Sequence, residues 1–415
     1  MPWGWLRESR GLTTLLLSRI VSRVGDVLFV LATTWVVLGN SHSVLLAAII
    51  PLASSVPPVV FALPLAALAD RWPKKLVMVT VDWGRAVLVA GAALLLLNHR
   101  PIALVLYATT LLLTLGGLLF SPAITSTFTR MVPPQHLTKA NGLWAAVTST
   151  LSIGSFAIGG VLVAWLRPGG ALIVDTVSFA VSGAILAGMS LPDVRAETKP
   201  GGMAFMRESL AGIRYLWGDI YLRRLIMVIA PMNLVFGPFQ VFSLVFSRLI
   251  LHTGTAGYGA IEAASGMGSV LAGLLVTRVA PHMKLQGWLR VSTLGSGVAL
   301  AIALLVPSLP ITFICYGGMW FVTAILSIPI VSAIERMAPP EAVGRVMQSL
   351  FLLISGISMP IGLLAGSWAM SYFGPVIALW GQAAGLFIVG AIAMVVSINP
   401  PESHALIMNY QDGGV

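Results

Sequence analysis

The chain has 415 residues, of which 57% are hydrophobic and only 9% are charged, and its formal net charge is +10. Soluble domains carry about 25% charged residues, so this composition excludes an ordinary soluble protein and indicates a polytopic helical membrane protein. The alternating pattern of an outer-membrane barrel is not seen in the sequence. The single cysteine, Cys315, lies in an apolar run, which rules out an intrachain disulfide.

Twelve apolar segments follow one another along the chain, and most are long enough to cross a hydrocarbon core of about 30 Å. We therefore predict an all-α polytopic membrane protein with twelve transmembrane helices. The predicted segments are Gly11–Gly39, Val44–Ala69, Leu76–Leu97, Ile102–Phe120, Lys139–Trp165, Ala171–Leu191, Leu222–Leu251, Ala256–Ala280, Gly287–Val306, Ile311–Met337, Val343–Tyr372 and Pro375–Ser397.

The distribution of Lys and Arg predicts the orientation. With the N-terminus in the cytoplasm, 18 basic residues fall on the inner side, and the outer side holds only Arg100, Arg167 and Arg248. This is a strong positive-inside bias, and it explains the net charge without a nucleic-acid partner. Twelve crossings return the C-terminus to the cytoplasm. We expect a monomer in a bacterial cytoplasmic (inner) membrane.

The chain also repeats itself. The stretch "RMVPPQHLTKANGLWAAVTSTLSIGSFAIGG" begins at Arg130, and "RMAPPEAVGRVMQSLFLLISGISMPIGLLAG" begins at Arg336, an offset of 336 − 130 = 206 residues. Two six-helix halves related by a parallel repeat are typical of transporters that bind substrate between the halves. We predict halves at residues 1–191 and 222–415. A cytoplasmic linker, residues 192–221, is expected to contain an amphipathic helix that lies on the membrane or only connects the halves.

The first helix carries an unusual polar stripe. At 100° per residue, Arg19, Ser22, Arg23, Asp26 and Thr33 fall on one side of a helix that is otherwise apolar. Charges are rare inside membranes and face the bundle interior or a water-filled cavity. Asp26 lies about 22 Å along the helix, and Arg23 is one turn below it. We expect Asp26 and Arg23 to couple proton binding to transport, and the alternative is a buried ion pair that only fixes packing. Arg19 either joins them or extends to the inner surface.

Two more acids lie within predicted helices. Glu262 shares its helix with no arginine before Arg278, so it is either a second proton carrier or a carboxylate at the outer rim. Asp175 lies close to Arg167 in sequence, and we expect it to be mainly structural with a lesser part in coupling.

Several motifs carry a resemblance to a known family. "LADRWPKK" after the second helix resembles the loop signature of the major facilitator superfamily. "SRVGD", "LTKANGL", "VDTVSFAVSG", "SLAGIRYLWGDIYLRRL" and "GRVMQSL" resemble the branch of bacterial macrolide efflux pumps and the enterobactin exporter. Two positions depart from the loop signature, because Ala66 and Pro73 stand where the family has glycines.

The loop signature has a physical interpretation as a cytoplasmic gate. Asp70 ends the second helix, and the repeat places the N-terminus of the eleventh helix, at Gly344, nearby. A helix N-terminus favours an anion, and Arg71, Arg130 and Arg345 are candidate partners. The resemblance implies the same contact, which would hold the two halves together on the inner side.

Asp82 and Arg85 are spaced for one face of the third helix. We expect them either to extend the cytoplasmic gate or to form a local ion pair. Lys74 and Lys75 are expected to serve topology alone.

The sequence contains no phosphate-binding loop, nucleophile elbow or paired metal-ligand histidines, so we expect neither enzymatic activity nor a cofactor or metal. We predict a secondary active transporter that exports amphipathic organic compounds, of the drug or siderophore type, by proton antiport with alternating access. The alternative is a lipid or lysolipid flippase without obligatory proton exchange. The expected partners are the bilayer, a small amphipathic substrate and protons.

Overall fold

The computed structural model describes residues 10–98, 102–132, 136–190, 217–279, 284–337, 346–347 and 349–396, and all regular structure within these ranges is helical. Among these residues, 11 helices are long and apolar enough to cross a membrane. The predicted all-α polytopic fold is confirmed. The predicted linker helix lies outside the described residues except at its C-terminal end, and the predicted domain boundaries stay predictions.

The helices follow the predicted segments closely. Their bounds are α1 Arg10–Ser41, α2 Val44–Arg71, α3 Lys74–Leu97, α4 Ala103–Met131, α5 and α6 within the run Leu137–Gly188, α7 Ile220–Phe236 continued by Phe239–Val245 and Phe246–Ile250, α8 Gly254–Val279, α9 Leu285–Leu305, α10 Leu309–Met337, α11 Leu352–Ser358 continued by Met359–Phe373, and α12 Pro375–Val395.

The run Leu137–Gly188 is two helices because its backbone breaks at Arg167, where φ is 60° and ψ is 164°. The cause is Pro168, whose ring disfavours helical dihedrals at the preceding residue. We call residues 137–166 α5 and residues 168–188 α6. The predicted break between the fifth and sixth segments is confirmed, and counting α5 and α6 separately gives the twelve helices that the sequence predicts.

The sequence predicts α7 as one uninterrupted helix, and the structure differs. It is interrupted after Phe236, at Gly237 and Pro238, and its last turn, Phe246–Ile250, is a wider π-helical turn. Proline has no N–H to donate to the preceding turn, so the helical ladder cannot continue unchanged through this position.

The chain divides into two compact units, Met1–Gly202 with Val241–Ala263, and Met203–Gln240 with Ala264–Val415. The first unit has a continuous apolar core contributed by α1 to α6. Its fully buried members include Leu12, Met78, Phe120 and Leu186. Many large apolar side chains remain exposed on the outer faces of the helices, as a lipid-facing surface requires; Leu104 is 79% exposed and Trp165 is 80% exposed.

Glycine permits one very close helix contact in the first unit. A Cβ atom placed on Gly160 of α5 would lie 2.7 Å from the Cα of Gly259 and 2.7 Å from the backbone oxygen of Thr255, both on α8. Such contacts bring backbones together where lipid supplies no hydrophobic driving force.

We predict that Gly160→Ala destabilises the protein by about 1–3 kcal/mol, because the new methyl group meets backbone atoms that cannot rotate away. Gly91→Ala on α3 is the matched control, since a Cβ at Gly91 would meet nothing within 4 Å. Thermal unfolding in detergent compares the two variants, and equal midpoints for both would show that the α5–α8 contact is not tight.

Candidate functional site

Away from their ends, α1, α3 and α6 carry six charged side chains, and together we call these six the charge cluster. The charges of its three arginines and three aspartates sum to zero when all six are ionised. The members are Arg19, Arg23 and Asp26 on α1, Asp82 and Arg85 on α3, and Asp175 on α6.

The polar stripe of α1 forms one edge of the charge cluster. Arg23 Nη1 lies 3.8 Å from Asp26 Oδ2, and these side chains are 38% and 27% exposed. Ser22 and Thr33 of the same stripe are fully buried and bond to carbonyls of their own helix. The carboxylate of Asp26 is therefore paired with Arg23 and remains accessible.

Asp82 lies inside the bundle, about 12 Å along α3 from its first residue. Its carboxylate is fully buried and accepts a hydrogen bond of 2.6 Å from the hydroxyl of Ser182 on α6. The other carboxylate oxygen, Oδ1, has no hydrogen-bond partner. Asp82 interacts electrostatically with Arg85, Asp26 and Arg19.

Arg85 is held by aromatic and backbone groups. Its Nη2 donates to the carbonyl of Leu113 on α4 at 3.1 Å. Its guanidinium lies 5.7 Å from the ring centroid of Phe120 and 5.3 Å from that of Phe179. The side chain fits against α4 because Gly117 has no Cβ; one placed there would lie 2.8 Å from Nη2. Such cation–π contacts partly replace the hydration that the buried guanidinium has lost.

Arg19 joins α1 to the same aromatic ring. Its guanidinium lies 5.8 Å from the centroid of Phe120, and it interacts electrostatically with Asp26 as well as with Arg23, Arg85 and Asp82. Arg19 thus points into the bundle, as the polar stripe predicts. The expectation that Asp82 and Arg85 extend the cytoplasmic gate stays a prediction, but their side chains contact α6 and α4 inside the first unit.

Asp175 is, like Asp82, a fully enclosed member of the charge cluster. It is fully buried, and its Oδ1 lies 3.3 Å from the hydroxyl of Ser178. It interacts electrostatically with Asp26 and Arg85. Sequence proximity suggests Arg167 as its neighbour, but the exposed Arg167 lies at the helix break.

Glu262 occupies a second polar position in the first unit. Ser243 of α7 donates a short hydrogen bond to its Oε1. One turn earlier on α8, Tyr258 is buried, interacts with Glu262 and bonds to Thr34 of α1. Glu262 is partly buried. Its carboxylate is therefore bonded to α7 of the same unit.

The residues of the cytoplasmic gate are only partly described. Arg71 and Arg130 are exposed at the ends of α2 and α4. The side chain of Asp70, as well as Gly344 and Arg345, lies outside the described residues. The gate therefore stays a prediction.

Three basic residues make contacts that sequence reasoning missed. Lys74 Nζ donates to the carbonyl of Ala69 at 2.9 Å, and Lys75 Nζ donates to that of Met189 at 2.7 Å. These bonds satisfy carbonyls at the C-terminal ends of α2 and α6, so both lysines do more than set topology. The signal in the sequence was their position directly after a helix end.

Arg248 at the end of α7 was assigned only to the outer side. Its Nη1 donates to the carbonyl of Trp35 at 2.7 Å, and its guanidinium lies 4.4 Å from the centroid of the Trp35 ring. Gly39, one turn further along α1, leaves room for this guanidinium. No local sequence pattern links these positions.

We predict that Ser182→Ala destabilises the protein by about 1–3 kcal/mol, because the buried Asp82 carboxylate loses its one recorded hydrogen-bond donor. Ser327→Ala is the control, since that exposed hydroxyl bonds only a carbonyl of its own helix. Unfolding midpoints measured at neutral pH test this; a Ser182→Ala midpoint that matches the control would show that the bond contributes nothing.

Comparison with known proteins identifies the family. The family described as "Transmembrane secretion effector" matches residues 2–411. The chain is 24% identical over 388 residues to the multidrug efflux pump Tap of Mycolicibacterium fortuitum, covering 90% of each protein. It is 22% identical over 361 residues to macrolide efflux protein A of Streptococcus pyogenes, covering 85% of this chain and 87% of that protein.

Solved structures share the fold. A bacterial homologue of the iron transporter ferroportin, in an inward-facing state, gives a TM-score of 0.72 at 14% identity and covers 93% of this chain and 98% of that one. The resemblance carried by the sequence motifs is thereby confirmed. Because the family match spans nearly the whole chain, the protein belongs to the transmembrane secretion effector family of major facilitator superfamily transporters.

Proposed function

We propose that the protein is a secondary active transporter that exports amphipathic organic compounds by proton antiport with alternating access. The observation that carries this proposal is the position of Asp26. It is the partly exposed acid of the charge cluster, whereas Asp82 and Asp175 are fully buried. Water and protons therefore have access to Asp26 that they lack at the other two carboxyl groups.

Protonation of Asp26 changes what Arg23 can do. At 3.8 Å the two side chains are an ion pair without a direct hydrogen bond, so the pair can separate without breaking one. When Asp26 is neutral, the Arg23 guanidinium loses its anionic partner and is free to reorient. A proton on Asp26 thus produces a local change in charge and in side-chain position, which a coupled transporter requires.

The direction and class of transport are supported by relatives. Two proteins that align over most of the chain are named as a multidrug efflux pump and a macrolide efflux protein. Their names favour export of organic compounds over lipid flipping. The particular cargo varies on one scaffold, so we infer only its amphipathic class. We further propose that both termini are cytoplasmic in a bacterial inner membrane and that the protein acts as a monomer.

We predict that Asp26→Asn abolishes export driven by a proton gradient and leaves the protein folded. The amide has the volume of the acid and resembles its permanently protonated form, so cargo can bind but no proton can exchange. Export is measured in proteoliposomes with an imposed pH gradient and a fluorescent amphipathic compound, and folding is checked by thermal unfolding.

Glu262→Gln is the matched control, because Glu262 is another partly buried acid of the first unit and its bond from Ser243 survives in the amide. Export that persists in Asp26→Asn and disappears in Glu262→Gln would move the proton site to Glu262. Export that persists in both variants would contradict proton antiport through either acid.

We also predict that adding a transported compound to detergent-solubilised protein releases protons into weakly buffered solution. Antiport requires cargo and proton to bind alternately, so cargo binding at one site expels the proton from the other. A pH indicator records the release, and Asp26→Asn is expected to show none. Transport of a lysolipid without any proton release would favour the flippase instead.

A further inference from the structure

Asp175 is a buried carboxyl group with very little to stabilise a negative charge. It is fully buried, and its Oδ2 has no hydrogen-bond partner. The one group that approaches Oδ1 is the Ser178 hydroxyl, which makes its shorter bond, 2.8 Å, to the backbone carbonyl of Asp175 itself. Within the described part of the chain, no basic side chain lies within 4 Å of Asp175. An unpaired buried carboxylate is strongly disfavoured relative to the neutral acid.

Helix α1 presses directly against this carboxyl group. A Cβ placed on Gly25 would collide with Asp175 Oδ1 and with the hydroxyl of Ser178, so only glycine fits there. The next residue along α1 is Asp26. The close approach therefore brings the partly exposed acid and the fully buried one into the same part of the bundle.

The charges around Asp175 come from two helices. Helix α1 contributes Asp26 with Arg23 and Arg19, and α3 contributes Asp82 and Arg85. Helix α4 has a single charged residue, the exposed Arg130 near its C-terminal end.

Two of these charges interact electrostatically with Asp175. The Asp26 carboxylate acts on it more strongly than the Arg85 guanidinium does. Arg85 itself bonds to the carbonyl of Leu113 and lies against two aromatic rings. The dominant charged neighbour of Asp175 is therefore another acid.

We propose that Asp26 and Asp175 form one proton-binding pair, in which Asp175 holds a proton while Asp26 is ionised. Two neighbouring carboxyl groups of which one is buried cannot easily both be negative, so their protons belong to the pair. Loading a second proton from water forms an O–H bond on Asp26 and takes the charge of the pair from −1 to 0. Unloading breaks that bond and returns the proton to water.

The pair assigns different tasks to two chemically identical groups. Asp26 exchanges protons, and Asp175 is a positioning residue that keeps a neutral acid against Gly25. Its role in transport rests on the proposed proton antiport, but the existence of the pair does not. The two ideas therefore have separate tests.

The test is infrared spectroscopy of the purified full-length protein without cargo, across a range of pH in light and heavy water. A protonated carboxylic acid has a carbonyl stretching band that ionised side chains lack, and deuteration shifts it. We expect this band in the wild type at neutral pH. One component of the band should be lost in Asp175→Asn, and Asp82→Asn, the matched control at the other fully buried aspartate, should retain that component.

Coupling within the pair is tested by Asp26→Asn. This change removes the adjacent negative charge, so Asp175 ionises more easily. Its component of the band should still be present at low pH, but on raising the pH it should disappear at a lower pH than in the wild type. A structural Asp175 that is independent of Asp26 would show no such change. If Asp175→Asn does not fold, Asp175→Glu replaces it, and the band should then move to a different frequency.

The pair is overturned if the wild type lacks the band, if Asp175→Asn removes no component of it, if Asp175→Glu shifts none, or if Asp26→Asn leaves the pH dependence of the Asp175 component unchanged. Export measurements separate this from the proposed function. If Asp26→Asn exports normally and the infrared results are as expected, the pair exists and antiport through Asp26 is wrong.

Discussion

A charge inside a bilayer has no bulk water to stabilise it, and the first unit is organised around this constraint. Three arginines and three aspartates lie within helices that are otherwise apolar. They are stabilised less by direct ion pairs than by a distributed set of contacts: a serine hydroxyl on Asp82, a backbone carbonyl and two aromatic rings on Arg85, and one ion pair between Arg23 and Asp26. The contacts of Asp82 and Arg85 join α3 to α6 and α4, whereas the Arg23–Asp26 pair joins successive turns of α1.

Three glycines of the first unit lie where a larger residue would collide with the charge cluster or with the helices that carry it. Gly25 admits Asp175 against α1, and Gly117 admits Arg85 against α4. Gly183 lies next to Ser182, and a Cβ placed on it would be 3.1 Å from the Trp83 ring. The absence of a side chain lets α6 approach α3 closely enough for the Ser182 hydroxyl to reach Asp82. Each small residue is next to, or against, a charged one. Side-chain volume and buried charge are therefore determined together, and a change in either affects the other.

Local spacing was sufficient to predict much of this architecture. Length and apolarity predicted the helices and the break between α5 and α6, and the helical period placed Arg23 one turn from Asp26. The contacts between helices could not be predicted from the sequence, because Ser182 and Asp82 are 100 residues apart and no helical periodicity relates them. Asp175 shows the same limit: the nearest arginine in sequence was taken as its neighbour, whereas its strongest charged neighbour comes from α1. The glycine in "SRVGD" was the available signal, but its meaning depends on which helix packs there.

Exposure separates the roles of three aspartates that are chemically the same. Asp82 is enclosed and bonded, Asp175 is enclosed with one oxygen unpartnered, and Asp26 is 27% exposed. A group that exchanges protons with water in each cycle must be reachable, and a group that keeps its protonation state must be shielded. Placing both kinds in one cluster lets a proton on the reachable acid change the field felt by the shielded one without moving a helix. The proposed antiport would use this difference in exposure, because Asp26 could exchange its proton with water while the shielded Asp175 keeps its own.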